Sequence, residues 1–370
     1  MAADIYRQLQ SREGLRQPAP LQRERPVWIF GAGGFGTAVC RALQAQGFDV
    51  AGFVESQPRK EQHLGLPVLG WAAVPPAARD GPLCIAVFNR DAPFDRLASL
   101  AGEHGFGRLL LPYDLYALLA AELGWRYWLS APELLARNAG RVAAVAARMA
   151  DEESRNCIAR TLAFRAGADL PFASYASAEP QYFNALTLEA LAGRPFTFVD
   201  CGAYNGDTLA ALLAAPGVEC TRAYLLEPDP GNFRRLVANS RGLRVPTVCL
   251  PLAAADKATM LSFAADNGEA SRLGQGGDTL VAAAALDELL PNESIGFLKL
   301  DVEGAEAQVL RGAAQLVQRC RPVLALSLYH NPADLWELPE LLFAMCERYR
   351  FHVRQHYANS FDSVLYAIPE

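Results

Sequence analysis

The chain has 370 residues, 51% of them hydrophobic and 20% charged, which is the profile of a folded protein of about two domains and excludes a disordered or fibrous one. Its formal net charge is −6 with Lys and Arg scattered, which argues against nucleic acid or an anionic membrane surface as the main partner. The eight cysteines are widely spaced without a CxxC pair, as expected for free thiols in a reducing compartment; with no signal peptide and no apolar run of spanning length visible, a cytoplasmic place is expected.

Residues 1–25 read as a short helix and linker broken by Pro18 and Pro20. A first domain is expected over 26–116. Its strand Val27–Phe30 leads into GAGGFG, a helix from Thr37 to Gln46 and a second strand, Val50–Val54, ending in Glu55. Strand, glycine turn, helix, strand and an acid about 20 residues on form the dinucleotide-type fingerprint in its expected order. Gly31, Gly33 and Gly36 would let backbone approach a phosphate, and Glu55 would hold ribose hydroxyls. No GK[ST] follows, so a P-loop is excluded. A buried strand Leu83–Phe88 places Arg90 at a strand's carboxyl end, where ligands of such sheets bind. Arg108–Leu111 resembles a further strand. This segment resembles the nucleotide-binding domains of sugar acetyltransferases, which implies a nucleotide-sugar as much as NAD. The plain alternative is a fold kept for packing that binds nothing.

Residues 117–195 read as a helical connector and loop, with helices near Leu115–Leu123, Ala131–Ala150 and Asp151–Arg165. Asp151, Glu152 and Glu153 suit the first turn of the last helix. In the loop after Gly167, the rings of Tyr182 and Phe183 are expected to seal the domain interface; folding over a ligand site is the alternative.

The C-terminal domain, 196–370, opens with Phe198–Thr208, FVDCGAYNGDT: the end of a buried strand, a glycine turn and a helix start offering free N–H groups. A strand Ala223–Leu226 ends at Glu227, placed to accept both hydroxyls of a ribose. Pro246–Leu252 ends in Ala253–Asp256, whose small side chains leave room for a flat ring. A hairpin follows, Thr259–Ala264 and Thr279–Ala285, flanking a polar loop with Ala270, Ser271 and Arg272. Strands Gly296–Leu300 and Val323–Leu328 run into DVEGAE and into Tyr329 and His330. A closing pair spans Phe351–His356 and Ser363–Ile368.

With FVDCGAYNGDT, LLEPDP, LDELL, IGFLKLDVEGAEAQVLRGA and LSLYHNPADLW in order over residues 180–370, the chain resembles the FkbM family of S-adenosylmethionine-dependent methyltransferases, in particular longer members with an N-terminal Rossmann-like domain. The resemblance implies an α/β class I methyltransferase domain, a seven-stranded, mostly parallel sheet with its last strand antiparallel, behind a smaller Rossmann-like α/β domain. It implies Asp200, Gly202 and Gly206 against the methionine part of the cofactor and Glu227 on its ribose. Asp256 lies near the adenine by analogy of position only. The implied activity is O-methylation of a sugar or sugar-containing metabolite.

Such a reaction needs a group to take the hydroxyl proton. The candidates at the carboxyl ends of the fourth and fifth strands are Asp301, Glu303 and His330; His330 is the first choice because an unperturbed imidazole titrates nearest neutrality, and Asp301 is the second. Glu303 and Glu306 are expected in the first turn of the next helix, in a stabilising role. A divalent cation on Asp301, Glu303 and His330 stays open. His352 and His356 lie too far apart along a strand to chelate one metal. The expected partner is a small-molecule or nucleotide-sugar acceptor, with homo-oligomerisation left open. Rival readings are an NAD-dependent oxidoreductase or epimerase using GAGGFG, which lacks a following Tyr-x-x-x-Lys, and a binding protein in which both folds have lost activity.

Overall fold

The first strand, β1 (Val27–Phe30), is wholly buried, and the glycine-rich helix α1 (Gly34–Ala45) that follows it buries Val39, Cys40 and Leu43. These belong to a computed structural model that describes Tyr6 and residues 20–168, 171–264, 272–273 and 279–370. The expected N-terminal helix, and Ala270 and Ser271 of the polar loop, lie outside the described residues; of Arg272 only the backbone is described.

Two compact units are present among the described residues. In the first, β2 (Val50–Glu55), β3 (Gln62–His63), β4 (Leu66–Gly70), β5 (Leu83–Ile85) and β6 (Leu109–Leu110) join β1 in one sheet, ordered β3-β4-β2-β1-β5-β6. Its pairs are parallel except β3 with β4. Helix α2 (Phe94–Glu103) connects β5 to β6, and α3 (Pro112–Leu123) packs Leu115 and Leu119 into the core made by Val27, Ile29, Leu43 and Phe53. Helix α4 (Pro132–Ala147) groups with this unit up to Ala146, and α5 (Glu152–Arg165) does so from Asn156 onward. The stretch expected as a separate connector is therefore divided between the units. Residues 357–361 also group with the first unit. There Asn359 Oδ1 accepts from Phe94 N, and its Nδ2 donates to the carbonyls of Asn89 and Ala92.

The second unit contains α6 (Ala185–Leu191), β7 (Pro195–Cys201), α7 (Asp207–Ala214), β8 (Glu219–Leu226), α8 (Pro230–Ser240) and β9 (Thr247–Leu250). A small sheet follows: β10 (Ala253–Ala254), β11 (Thr259–Ala264), β12 (Arg272–Leu273) and β13 (Thr279–Ala284). The chain then returns through α9 (Leu286–Leu289), β14 (Ile295–Leu300), α10 (Glu306–Gly312), α11 (Ala314–Cys320), β15 (Val323–Ser327), α12 (Asp334–Met345), β16 (Tyr349–Gln355) and β17 (Ser363–Pro369). The main sheet is ordered β16-β17-β15-β14-β7-β8-β9, and β17 runs antiparallel to both its neighbours. This is the expected seven-stranded sheet with its last strand reversed. Phe198, Leu225, Phe297, Val323 and Val364 fill its core.

Tyr182 and Phe183 enter that same core, Phe183 edge-on against Phe297, instead of sealing a domain interface. A QYF segment directly after Pro180 carries no periodicity that would show this. All eight cysteines are free, and no helix among the described residues is long and apolar enough to cross a membrane.

Candidate active site

In an open parallel sheet the ligand crevice forms outside the strand carboxyl ends, where the chain reverses its direction of travel across the sheet. In the second unit that reversal falls between β7 and β14, and in the first between β1 and β5. Each reversal carries a glycine in the left-handed region just after its first strand, pressed against backbone from the strand across. Gly202 has φ +83°, and a Cβ there would overlap the carbonyl oxygen of Asp301. Gly31 has φ +106°, and a Cβ would meet Val87 Cγ2 at 2.8 Å and Ala86 O at 3.0 Å. Only glycine satisfies both demands.

Around Gly202 the turn is held from below and from the side. Asp200 has no exposed surface; its Oδ1 accepts from Lys299 Nζ at 2.8 Å, and the same ammonium donates to Gly202 O at 3.1 Å. Burial raises the Asp200 carboxyl to about 6 against the pull of Lys299. Burial alone would lower Lys299, but Asp200 and Asp301 hold it above its ordinary value. Asp200 therefore braces the turn from beneath and lacks the surface to touch a ligand, a correction to its expected place against the methionine part of a cofactor.

At the tip of β8, Glu227 is 5% exposed and each oxygen receives one backbone donor: Asp229 N at 2.9 Å and Tyr204 N at 2.8 Å. Burial raises it to about 7 in spite of those bonds. The Asn232 side chain is a third donor to it; a carboxylate offers about four lone-pair sites, so acceptor capacity remains for a ribose hydroxyl. Gly206, at φ +88°, caps α7, and the first N–H groups of α7 are already engaged: Asp207 N by Asn205 and Thr208 N by Asp207. The helix start thus offers fewer free donors than expected. Asp256 is exposed beyond β10, in the small sheet, because the main-sheet strand β9 stops at Leu250.

Beyond β14 lies a cluster of acids around one imidazole. His330 has no exposed surface; its Nδ1 is 2.7 Å from Glu306 Oε1, and its Nε2 is 3.4 Å from Asp301 Oδ1 and 3.6 Å from Glu303 Oε2. Burial would lower His330, but Glu306 and Glu303 raise it well above its ordinary range. The ground for choosing it as proton acceptor, an unperturbed imidazole, is thereby removed: the surrounding carboxylates favour the protonated ring. Asp301 accepts from Tyr182 OH at 3.0 Å and Tyr329 OH at 3.3 Å. Burial works to raise Asp301, yet Lys299 and His330 hold it below the usual carboxylate range. Glu303 is not in the helix, which begins at Glu306; it sits in the preceding turn at φ +54°. Burial raises it to about 8, His330 opposing and Asp301, Glu306 and Asp362 adding to the rise. Tyr182 is the site residue that sequence reading misplaced, since 119 residues separate it from its partner.

Asp301, Glu306 and His330 can bring one ligand atom each within 4.8 Å of one another. Both ring nitrogens face carboxylates, so a cation would have to displace a proton the acids hold on the ring. His352 and His356 do not converge: His352 Nδ1 meets Asp151 Oδ2 at 2.6 Å, and His356 Nε2 meets Tyr366 OH at 2.8 Å.

In the first unit, Glu55 Oε1 accepts from Ala32 N at 3.1 Å, and space around Gly33 and Gly34 is open. A Cβ at Gly36 would overlap Gly31 O, so α1 packs onto the turn. Lys60 Nζ donates to Ala32 O and to His63 Nδ1, which leaves Nε2–H of His63 to donate to Thr37 Oγ1 at 2.7 Å. No spacing in the sequence marks Lys60, His63 or Thr37. β5 ends at Ile85, so Arg90 lies in the loop beyond, its guanidinium 4.9 Å from the centre of the Tyr357 ring.

Residues 200–355 match the family model described as the methyltransferase FkbM domain, and residues 26–77 match the PglD N-terminal domain. No curated protein matches the chain. A solved structure described as methyltransferase FkbM from Methylobacillus flagellatus KT shares the fold, with 20% identity over 99% of both chains and a TM-score of 0.78.

Proposed function

From the premise that the chain is a methyltransferase with an FkbM domain over residues 200–355, we propose that it methylates a hydroxyl of a sugar or sugar-containing metabolite with S-adenosylmethionine as donor. The observation that carries this reading is Glu227: a buried carboxylate at the tip of β8, fixed by Tyr204 N, Asp229 N and the Asn232 side chain, with acceptor capacity left for a ribose hydroxyl. Gly202, half-exposed at the switch point, lets backbone come against the rest of the donor. The residues present therefore fit the cofactor. When bound, S-adenosylmethionine supplies an electrophilic methyl carbon on a sulfonium. The protein's share is to hold the acceptor oxygen in line with that carbon and to receive its proton. Asp301, with its two tyrosine donors, is suited to orient the acceptor. Asp200 and Lys299 keep the turn and the acids in register.

The first unit supports recognition of a nucleotide-linked acceptor. Gly31, Gly33 and Gly36 form a tight turn with open space at Gly33, and Glu55 stands beside it. A cytoplasmic place and a role in glycan biosynthesis accompany this reading.

Calorimetry on the full chain tests it. S-adenosylhomocysteine should bind, and Glu227→Ala should weaken it at least tenfold, about 1.4 kcal/mol. No binding, or the same affinity in Glu227→Ala, overturns the donor assignment. A UDP- or dTDP-hexose should bind independently, and Glu55→Ala should weaken that ligand alone.

A further inference from the structure

We propose that the Glu303 carboxylate takes the proton of the acceptor hydroxyl during methyl transfer, an inference that rests on the O-methylation reading above. Glu303 stands in the turn after β14, at the switch point, two residues from the Asp301 carbonyl that presses on Gly202. The cofactor-side glycine turn and the Glu303 turn are thus in contact.

Its backbone is unusual. Glu303 holds φ +54°, where side-chain-bearing residues are uncommon, and Gly304 follows at φ +100°. Such conformations persist where the surroundings fix them, and they cluster at functional sites. Helix stabilisation does not explain this one, since α10 starts three residues later.

The side chain is the second observation. It is 19% exposed, and among the described residues its buried Oε2 makes no hydrogen bond, facing His330 Nε2 at 3.6 Å. A buried carboxylate oxygen without a donor is costly. The other candidates are hydrogen-bonded or withdrawn from reach. Asp301 receives two tyrosine hydroxyls and is held ionised by Lys299 and His330, which makes it a weak base. Glu306 has Oε1 taken by His330 and Val302 N; its Oε2 has no hydrogen-bond partner, but the residue is only 1% exposed and out of reach of an acceptor. His330 has no exposed surface. Asp301 is as exposed, at 21%, but its oxygens are held by the two tyrosines; Glu303 joins access to an oxygen that no donor holds.

In the step assigned to it, the acceptor oxygen forms a bond to the methyl carbon. The carbon–sulfur bond breaks with its electron pair going to sulfur, and the hydroxyl proton passes to Glu303. A sulfonium and a carboxylate become a thioether and a neutral acid, so charge falls on both sides of the acceptor. The groups facing Glu303 are His330 before α12, Asp301 on its own turn, Glu306 on α10 and Asp362 before β17. His330 favours the ionised form; the three acids favour uptake of the proton.

The test uses the full chain with S-adenosylhomocysteine. Difference infrared spectra should show a protonated carboxyl band that disappears as pH rises through about 8 and is absent in Glu303→Gln. A wild-type chain without such a band overturns the proposal. Methyl transfer from S-adenosylmethionine to a panel of UDP- and dTDP-hexoses should fall by about 100-fold or more in Glu303→Gln, with Glu303→Asp keeping part of the rate and S-adenosylhomocysteine affinity within about threefold of wild type in both. Wild-type turnover in Glu303→Gln also overturns it. If the wild-type chain methylates no hexose, the sugar reading fails, and the infrared titration still decides whether Glu303 exchanges a proton near pH 8.

Discussion

The Nδ1 of His330 lies 2.7 Å from Oε1 of Glu306, and both side chains are withdrawn from solvent. Breaking one half of such a buried pair leaves an uncompensated charge, so His330→Gln should cost about 3–5 kcal/mol near pH 6. The folded-state pKa of His330 lies above its unfolded value. Its contribution is therefore full below about pH 6.5 and is lost as pH rises through the folded value. Urea unfolding at pH 6 and pH 9 should show the gap between wild type and His330→Gln narrowing in alkali. A gap that does not change would mean the ring is neutral.

Tyr182 reaches Asp301 Oδ2 with its hydroxyl at 3.0 Å from a backbone at φ +66°. Tyr182→Phe removes one donor to a charged acceptor, worth about 1.5–3 kcal/mol in a buried setting. Stability should drop by that order, and turnover by about tenfold, each 1.4 kcal/mol being a factor of ten. S-adenosylhomocysteine affinity should stay unchanged. Equal loss of affinity and turnover would make the residue a packing element only.

Gly202→Ala sets a methyl group on the Asp301 carbonyl at a φ of +83°. Strain and overlap together should cost about 3 kcal/mol or more and abolish S-adenosylhomocysteine binding. Gly33→Ala is the control: its φ is −84° and nothing lies within 4 Å, so stability should move by less than about 0.5 kcal/mol.

Four acids of the second unit are held above their ordinary values: Asp200 to about 6, Glu227 and Asp334 to about 7, and Glu303 to about 8. Between their unfolded values and these, the native state binds more protons than the unfolded one, so stability falls as pH rises. Asp151 and Asp301, held low, act in the opposite sense only at more acid pH. Unfolding curves should place maximum stability near pH 5, with a decline toward pH 8 that Glu303→Gln makes shallower. A chain most stable at pH 8 would contradict these protonation states.

What could be read from the sequence is what repeats along it. The strands expected at Val27–Phe30, from Phe198 and at Gly296–Leu300 became central strands, and the acid at the tip of β8 stood where the spacing put it. The hairpin of β3 and β4 escaped notice because it turns on Leu64 and Gly65, both at positive φ, and leucine gives no turn signal. Asp301, Glu303 and His330 could be grouped from the sequence, but not the contact of Tyr182 with Asp301 nor the protonation of the cluster. Its partners are 24 to 119 residues apart, and burial, which sequence does not display, decides their protonation. The turn conformation of Glu303 had only the glycine after it as a hint, too little to distinguish a turn from the first residues of α10.

Lysine is scarce here: the chain has only Lys60, Lys257 and Lys299. The first two are exposed, while Lys299 is 2% exposed with its ammonium bound between Asp200 and Gly202 O. The α-amino group aside, an acylating reagent added to the folded chain should mark positions 60 and 257 and spare 299. Acquisition of a label at Lys299 would then time the parting of β7 from β14, giving a chemical clock for the opening of this crevice that needs neither substrate nor donor.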